Sequence, residues 1–214
     1  LFLITKKNNT KKIIKEKKIN KNQIIDIKDI SKLINNLKGK KFIIDNKTCS
    51  IFHEDIIKSK FKILDKDDPI YKLKSIKNSH EINHMIEAHK KDGLALTKFI
   101  YWIKNINKKT ITEVEAQNKL EKFRKLSKDY LTPSFNTIAG SGSNGAIVHY
   151  RATTKATKKI NKQDLFLVDS GGQYSYGTTD VTRTICFTSQ KQSTKNAYTN
   201  VLKGHIAVAL TDLK

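Results

Sequence analysis

One segment constrains the fold more than any other. Leu165-Phe166-Leu167-Val168 is a four-residue apolar run that ends directly in Asp169 and is followed by Ser170-Gly171-Gly172. A run of this kind is typical of a buried strand, and a carboxylate at its exit is costly to bury without a partner. The turn signals Gly171-Gly172 and Tyr176-Gly177 let the chain double back, so a strand through Thr178-Thr179-Asp180-Val181-Thr182-Arg183-Thr184 lies beside the first. Asp169 and Asp180 then face each other. Two carboxylates that close repel unless they share a proton or a cation, and a divalent metal supplies the hard-oxygen coordination that resolves the conflict. Spacing alone leaves a second arrangement open, in which Asp169 caps a turn and Asp180 pairs with Arg183.

The rest of the chain frames this segment. Residues 1–68 are lysine-rich and short-period: Ile27, Ile30, Leu33, Ile34 and Leu37 fall at helical spacing, Lys41 to Asp45 reads as a strand, and Ile51 to Phe61 as a second amphipathic helix. This αβ piece is too small to bury a core of its own and reads as the end of a larger domain. Asp67-Asp68-Pro69 biases the chain away from helix and marks a link, giving domains 1–68 and 69–214. Asn78 with Glu81 then caps a long helix whose face is Ile82, Met85, Ile86, His89, Gly93, Leu96, Ile100 and Ile103. A capping box from Thr112 to Glu115 opens another, burying Val114, Leu120, Phe123 and Leu126. After Pro133 three strands are expected, Ser134 to Ala139, Leu165 to Ser170 and Thr178 to Phe187, and a last helix near Ser193 places Ala197, Val201, His205 and Val208 on one face. Helices followed by strands predict an α+β fold.

Composition removes several classes. The 214 residues are 37% hydrophobic, enough for a packed core, and no apolar run is long enough for a membrane span or a secretory signal. The net charge of +22 raises nucleic acid as a partner, but Arg124, Arg151 and Arg183 are the only arginines and lysine is spread through nearly every segment. That is a solvated surface rather than a phosphate track. Cys49 and Cys186 sit in no metal or redox spacing and fit a reducing cytoplasm. His80 and His84 stand at i and i+4, but no third ligand is indicated, so exposed helix is the reading. Gly140 to Gly145 lacks the Lys-Ser/Thr of a phosphate loop and reads as a turn carrying His149. A lone histidine at the exit of Gly145-Ala146-Ile147-Val148 is most simply hydrogen-bonded structure unless it converges on the cleft of the two acids.

The stretch Thr137-Ile138-Ala139-Gly140-Ser141-Gly142-Ser143-Asn144-Gly145-Ala146-Ile147-Val148-His149-Tyr150, with Leu167 to Gly171 and Gly177 to Thr184, closely resembles the Xaa-Pro aminopeptidases of the pita-bread metallopeptidase family. Val201 to Ala207 and the linker Leu73 to Asn78 are similar to its cytosolic, three-domain branch, and the likeness runs from about residue 68 onward. Residues 1–68 resemble the tail of the creatinase-like α/β domain that precedes the catalytic domain in this family.

The resemblance implies an N-terminal part of a pita-bread catalytic domain in which Asp169 and Asp180 are the first two metal ligands of a dinuclear manganese site. His149 then lines the substrate pocket and assists the reacting groups. A hydroxide shared by two cations attacks the peptide bond preceding proline, in peptides with proline second. Cytoplasmic homodimers are implied as well. The family completes its site with a histidine and two glutamates that follow the last matched segment. The chain, which begins with Leu and stops after Leu213-Lys214 within a predicted helix, is therefore expected to be incomplete and inactive alone. His205 is expected to be a core-side helix histidine rather than the missing ligand. Two other classes stay open: a non-catalytic pita-bread binding module and a lysine-rich nucleic-acid binder.

Overall fold

The computed structural model describes residues 2–6, 10–16, 18–106 and 110–212, and the chain divides into two units, Leu1–Ile76 and Lys77–Lys214. In the first, β1 (Leu3–Ile4) is followed by α1 (Lys11–Lys15) and pairs in parallel with β2 (Ile24–Ile25). Then come α2 (Ile30–Asn36), β3 (Lys41–Ile44), α3 (Ile51–Lys58) and β4 (Lys62–Asp65), the last strand parallel to β3. The parallel pair needs a crossover, and α3 provides it.

The expectation that this segment buries no core of its own is overturned: Ile30, Ile34, Ile44, Ile57 and Phe61 form a cluster at 5–8% exposure. The crossover makes this possible by turning the apolar stripes of α2 and α3 toward one strand pair, with Phe42 and Phe61 5.5 Å apart between ring centroids. Asp67-Asp68-Pro69 also does not bias the chain away from helix. It starts α4 (Pro69–Ser75), because proline's missing N–H costs nothing at the first helical position and the Asp68 carboxylate accepts the Ile70 N–H at 2.8 Å.

The second unit is built on α5 (Ser79–Asn105) and α6 (Glu113–Arg124), both opened by the capping boxes legible in the sequence. They are followed by β5 (Tyr130–Pro133), β6 (Ile138–Ser141), β7 (Phe166–Ser170), β8 (Gly172–Tyr174), β9 (Gly177–Thr178), β10 (Val181–Ile185) and α7 (Gln192–Ala209). Two antiparallel sheets result, in the orders β10-β7-β6 and β5-β8-β9. Leu96, Phe99, Ile103, Ile111, Ala116 and Leu120 pack against Ala139, Phe166, Val168 and Ile185 of the first sheet. The α+β expectation holds.

Three details differ from the sequence reading. The expected strand Ser134 to Ala139 is split, since Ser134 instead donates its N–H to the Gly171 carbonyl and its hydroxyl to the Thr179 carbonyl, and pairing resumes at Ile138. The expected strand Thr178 to Phe187 is two strands, β9 on one sheet and β10 on the other, with Thr179-Asp180 crossing between them. The buried face of α5 is also rotated in its first half: Ala88, Asp92 and Ala95 are inside, whereas Ile82 and Ile86 are about half exposed. Small Ala88 is needed there because a Cβ on Gly177 would stand 2.8 Å from the Ala88 Cβ, and Asp92 is drawn in by Arg124.

Along α6 the inward residues are Glu113, Ala116, Leu120 and Arg124, while Leu126 is exposed and Val114 and Phe123 are half-buried. On α7 the predicted face of Ala197, Val201, His205 and Val208 is exposed, so His205 is not a core histidine. No helix among the described residues is long and apolar enough to cross a membrane.

Candidate active site

Strand alternation decides where Asp169 points. On β7, Phe166, Val168 and Ser170 are buried against the helices, so Leu167 and Asp169 lie on the opposite face of the sheet. Asp169 stands directly across from Ile138 on one side and Thr182 on the other. Alternation carried back from Thr182 puts Asp180 on the Asp169 face, one diagonal step along the pair. Asp180 is exposed at the point where the chain crosses between sheets.

That crossing is tight. A Cβ on Gly171 would lie 1.9 Å from the Thr179 carbonyl oxygen and 2.3 Å from Ser134 Oγ, so only glycine lets the segment before Asp180 press against the end of β7. Thr179, 1% exposed, is held by its N–H to the Gly172 carbonyl (2.9 Å) and by the Gly172 N–H to its hydroxyl (2.9 Å).

The alternative arrangement left open by the sequence does not form. No ion pair joins Asp180 to Arg183 among the described residues, and Arg183 donates instead to the Thr182 carbonyl. Asp169 caps no turn: its Oδ1 is buried and makes no hydrogen bond. An unpartnered buried carboxylate oxygen is a costly feature for a fold to keep. It fits a cation ligand, since a carboxylate oxygen is the hard donor that manganese-like and alkaline-earth ions take. Asp180, exposed on the same face, supplies a second donor of the same kind. Among the described residues no third His, Cys, Asp or Glu joins them in a cluster.

His149 follows the 3-10 segment Gly142–Ala146 that leaves β6. It is exposed and has φ 54°, the one described non-glycine residue with positive φ. Its ring makes no hydrogen bond among the described residues, so the structural reading of a bonded core histidine fails. The turn that carries it leaves β6 through a 3-10 segment, Gly142–Ala146, and Gly140 is required because a Cβ there would lie 2.7 Å from the Gly145 nitrogen. His80 and His84 are exposed on α5, as read from the sequence, and the His84 ring packs tilted against Tyr176 with centroids 5.5 Å apart.

Two buried polar groups escaped the sequence reading. Arg124 and Asp92, each 1% exposed, form a forked pair: Arg124 Nε donates to Asp92 Oδ1 at 2.6 Å and Nη2 to Oδ2 at 3.1 Å. Nη2 also donates to Ser170 Oγ (3.0 Å), the residue after Asp169, and Tyr174 donates its hydroxyl to Asp92 Oδ1 (3.0 Å). The second is Glu113, fully buried at the start of α6. Periodicity predicted apolar residues at these depths, and no local signal distinguishes a buried ion pair from a solvated one. The faint clue was that Arg124 is one of only three arginines in a chain whose other cations are all lysines.

Comparison with known proteins matches this architecture. The family model described as metallopeptidase family M24 matches residues 83–211. Among curated proteins, one named "Probable Xaa-Pro aminopeptidase P" from Paracoccidioides brasiliensis is 45% identical over 150 residues, covering 69% of this chain and 24% of that protein. The Drosophila melanogaster protein named Xaa-Pro aminopeptidase ApepP is 38% identical over 185 residues, covering 86% of this chain and 30% of that protein. The chain thus spans less than a third of the length of either relative. Among solved structures, the X-prolyl aminopeptidase of Caenorhabditis elegans, described as a cytosolic enzyme with a di-nuclear active site, superposes with a TM-score of 0.69 at 28% identity, over 80% of this chain and 29% of that one. The matched residues include β5 to β10 with both aspartates and His149, and on that match the chain belongs to metallopeptidase family M24.

Proposed function

We propose that this chain is part of a metal-dependent aminopeptidase that cleaves the N-terminal Xaa-Pro bond of peptides, with Asp169 and Asp180 as metal ligands and His149 in the substrate pocket. The observation that carries the reading is the buried, unpartnered Oδ1 of Asp169 on the sheet face it shares with Asp180. In this reading residues 1–68 are the tail of a creatinase-like domain and 69–214 belong to the pita-bread domain. The names of the relatives support the substrate class, and the C. elegans enzyme's di-nuclear site supports two divalent cations. We take these to be manganese, in a cytoplasmic homodimer.

Bound cations would polarise the scissile carbonyl and lower the pKa of water. The chain's own residues do the rest. β7 and β10, locked in register, fix the spacing of the two carboxylates. His149, held outward by its left-handed backbone, offers a ring nitrogen to the peptide without competing internal bonds. The carboxylates present only acceptors, so they hold cations and leave proton movement to the histidine.

The test is manganese titration by calorimetry and electron paramagnetic resonance on the wild type and Asp169→Asn, with the full sequence of the natural protein. Loss of at least tenfold in affinity is expected. Unchanged manganese content in Asp169→Asn overturns the ligand assignment.

A further inference from the structure

Glu113 is a fully buried carboxylate with no ion-pair partner among the described residues. It is nevertheless saturated. Oε1 accepts the Ser141 N–H (2.8 Å) and Asn144 Nδ2 (3.0 Å), and Oε2 accepts the Lys158 N–H (2.8 Å) and the Tyr150 hydroxyl (2.9 Å). Asn144 Nδ2 also approaches Oε2 at 3.2 Å and donates to the Tyr150 hydroxyl at 2.7 Å. The Glu113 N–H in turn donates to the Lys158 carbonyl at 3.0 Å. Every one of these partners belongs to the segment 141–158, and two of them, Asn144 and Tyr150, bracket His149. Tyr150 is its immediate neighbour.

A left-handed backbone at a non-glycine residue is unfavourable and persists only where the surroundings impose it. The His149 ring contributes nothing to that imposition, since it is exposed and unbonded. The constraint therefore comes from the flanks, and both flanks converge on one carboxylate. We propose that Glu113 is a positioning residue: a buried anchor that closes the 141–158 segment on itself and holds His149 in its outward, left-handed conformation. Its functional weight rests on the role proposed above for His149; the anchoring itself does not.

The Tyr150 phenol supports the same geometry, with its pKa pushed up to about 12 by burial and by its bond to Glu113. The acceptor capacity of both carboxylate oxygens matters as well as the shape of the side chain. Glu113→Gln keeps the size, but its amide offers one oxygen and one NH2 group. Whichever way it turns, either the Ser141 N–H or the Lys158 N–H then faces a donor.

Amide hydrogen exchange on the wild-type protein and Glu113→Gln tests the anchor without metal or turnover. Exchange within 141–158 is expected to speed up at least tenfold while 166–170 keeps its protection. The His149 Cε1–H resonance should shift or broaden, with those of exposed His80 and His205 unchanged. Unaltered exchange in 141–158, an unmoved His149 signal, or an equal loss of protection in 166–170 overturns the proposal. If Glu113→Gln does not fold, Tyr150→Phe removes two bonds from the same hub, the one to Glu113 and the one from Asn144, and decides the question: a smaller effect in the same direction supports it, and none overturns it.

Turnover of Ala-Pro-Ala by the metal-loaded protein separates the two levels. A silent His149→Ala removes the role given to His149 and leaves the anchor standing on its exchange result. If His149→Ala lowers kcat, adding Glu113→Gln should lower it no further, and a multiplied loss would show that Glu113 acts elsewhere.

Discussion

Replacing Arg124 with methionine should be among the most damaging single changes in the second unit, because of what it strands. The guanidinium and the Asp92 carboxylate are each 1% exposed, and the substitution deletes both charge-assisted bonds to Asp92 and the one to Ser170. Asp92 keeps only the Tyr174 hydroxyl at 3.0 Å. Breaking a buried pair from one side costs about 3–5 kcal/mol, because the remaining charge stays out of water without compensation. For a unit of this size, a conversion of about 4 °C per kcal/mol gives a fall in melting temperature of roughly 12–20 °C. The assay is thermal and urea unfolding followed by circular dichroism, with Asp92→Leu and the double variant Asp92→Leu/Arg124→Met completing a cycle. The double variant should recover most of the loss, since it buries apolar groups in place of ions. A cost below about 1 kcal/mol for Arg124→Met, or a double variant as unstable as the sum of the singles, would refute the argument.

Gly171→Ala should destabilise by about 3 kcal/mol or more, measured by urea unfolding, because its methyl would sit 1.9 Å from a backbone carbonyl that cannot move without dragging Asp180. Asp169→Asn, tested without metal, should unfold at higher urea concentration than the wild type by about 1 kcal/mol, since it removes a charge from a buried atom that has no partner. Asp129 accepts from Lys91 Nζ and from the Tyr176 hydroxyl, and the lysine hydrogen bond holds its carboxyl below the usual 3.8. A depressed folded pKa gives stability that is fully present above 3.8 and is lost as pH falls through the folded value. The stability gap between wild type and Asp129→Asn, measured by urea unfolding at each pH, should therefore be widest near neutrality and close in acid.

What could be read from the sequence was whatever is written in local chemistry. The capping boxes at Asn78 and Thr112 located the starts of α5 and α6 to the residue, and the apolar run into Asp169 located β7. The pairing of that strand with the one after Asp180 followed from its turns. The misses share a cause. Asp92, Glu113 and Arg124 are buried because residues 28 to 82 positions away satisfy them, and periodicity treats every charged residue as solvent-facing. Asp68-Pro69 reads as turning the chain away from helix, when the same two residues are good helix-starting chemistry. The split of the last predicted strand at Thr179-Asp180 depends on a second sheet being present to receive β9, which no β-branched run reveals.

Thr179 carries a consequence larger than its chemistry. In an antiparallel pair, sliding one strand by a single residue turns every side chain to the other face. If β10 slipped that way along β7, Asp180 would leave the Asp169 face altogether, with both strands still fully hydrogen-bonded. Thr179 is what forbids it: its N–H, hydroxyl and carbonyl are taken by Gly172 and Ser134, elements outside the sliding pair. An inert threonine thus works as a ratchet pawl, so that the spacing of the two carboxylates proposed as metal ligands is guarded by a residue that itself carries no part of that proposal.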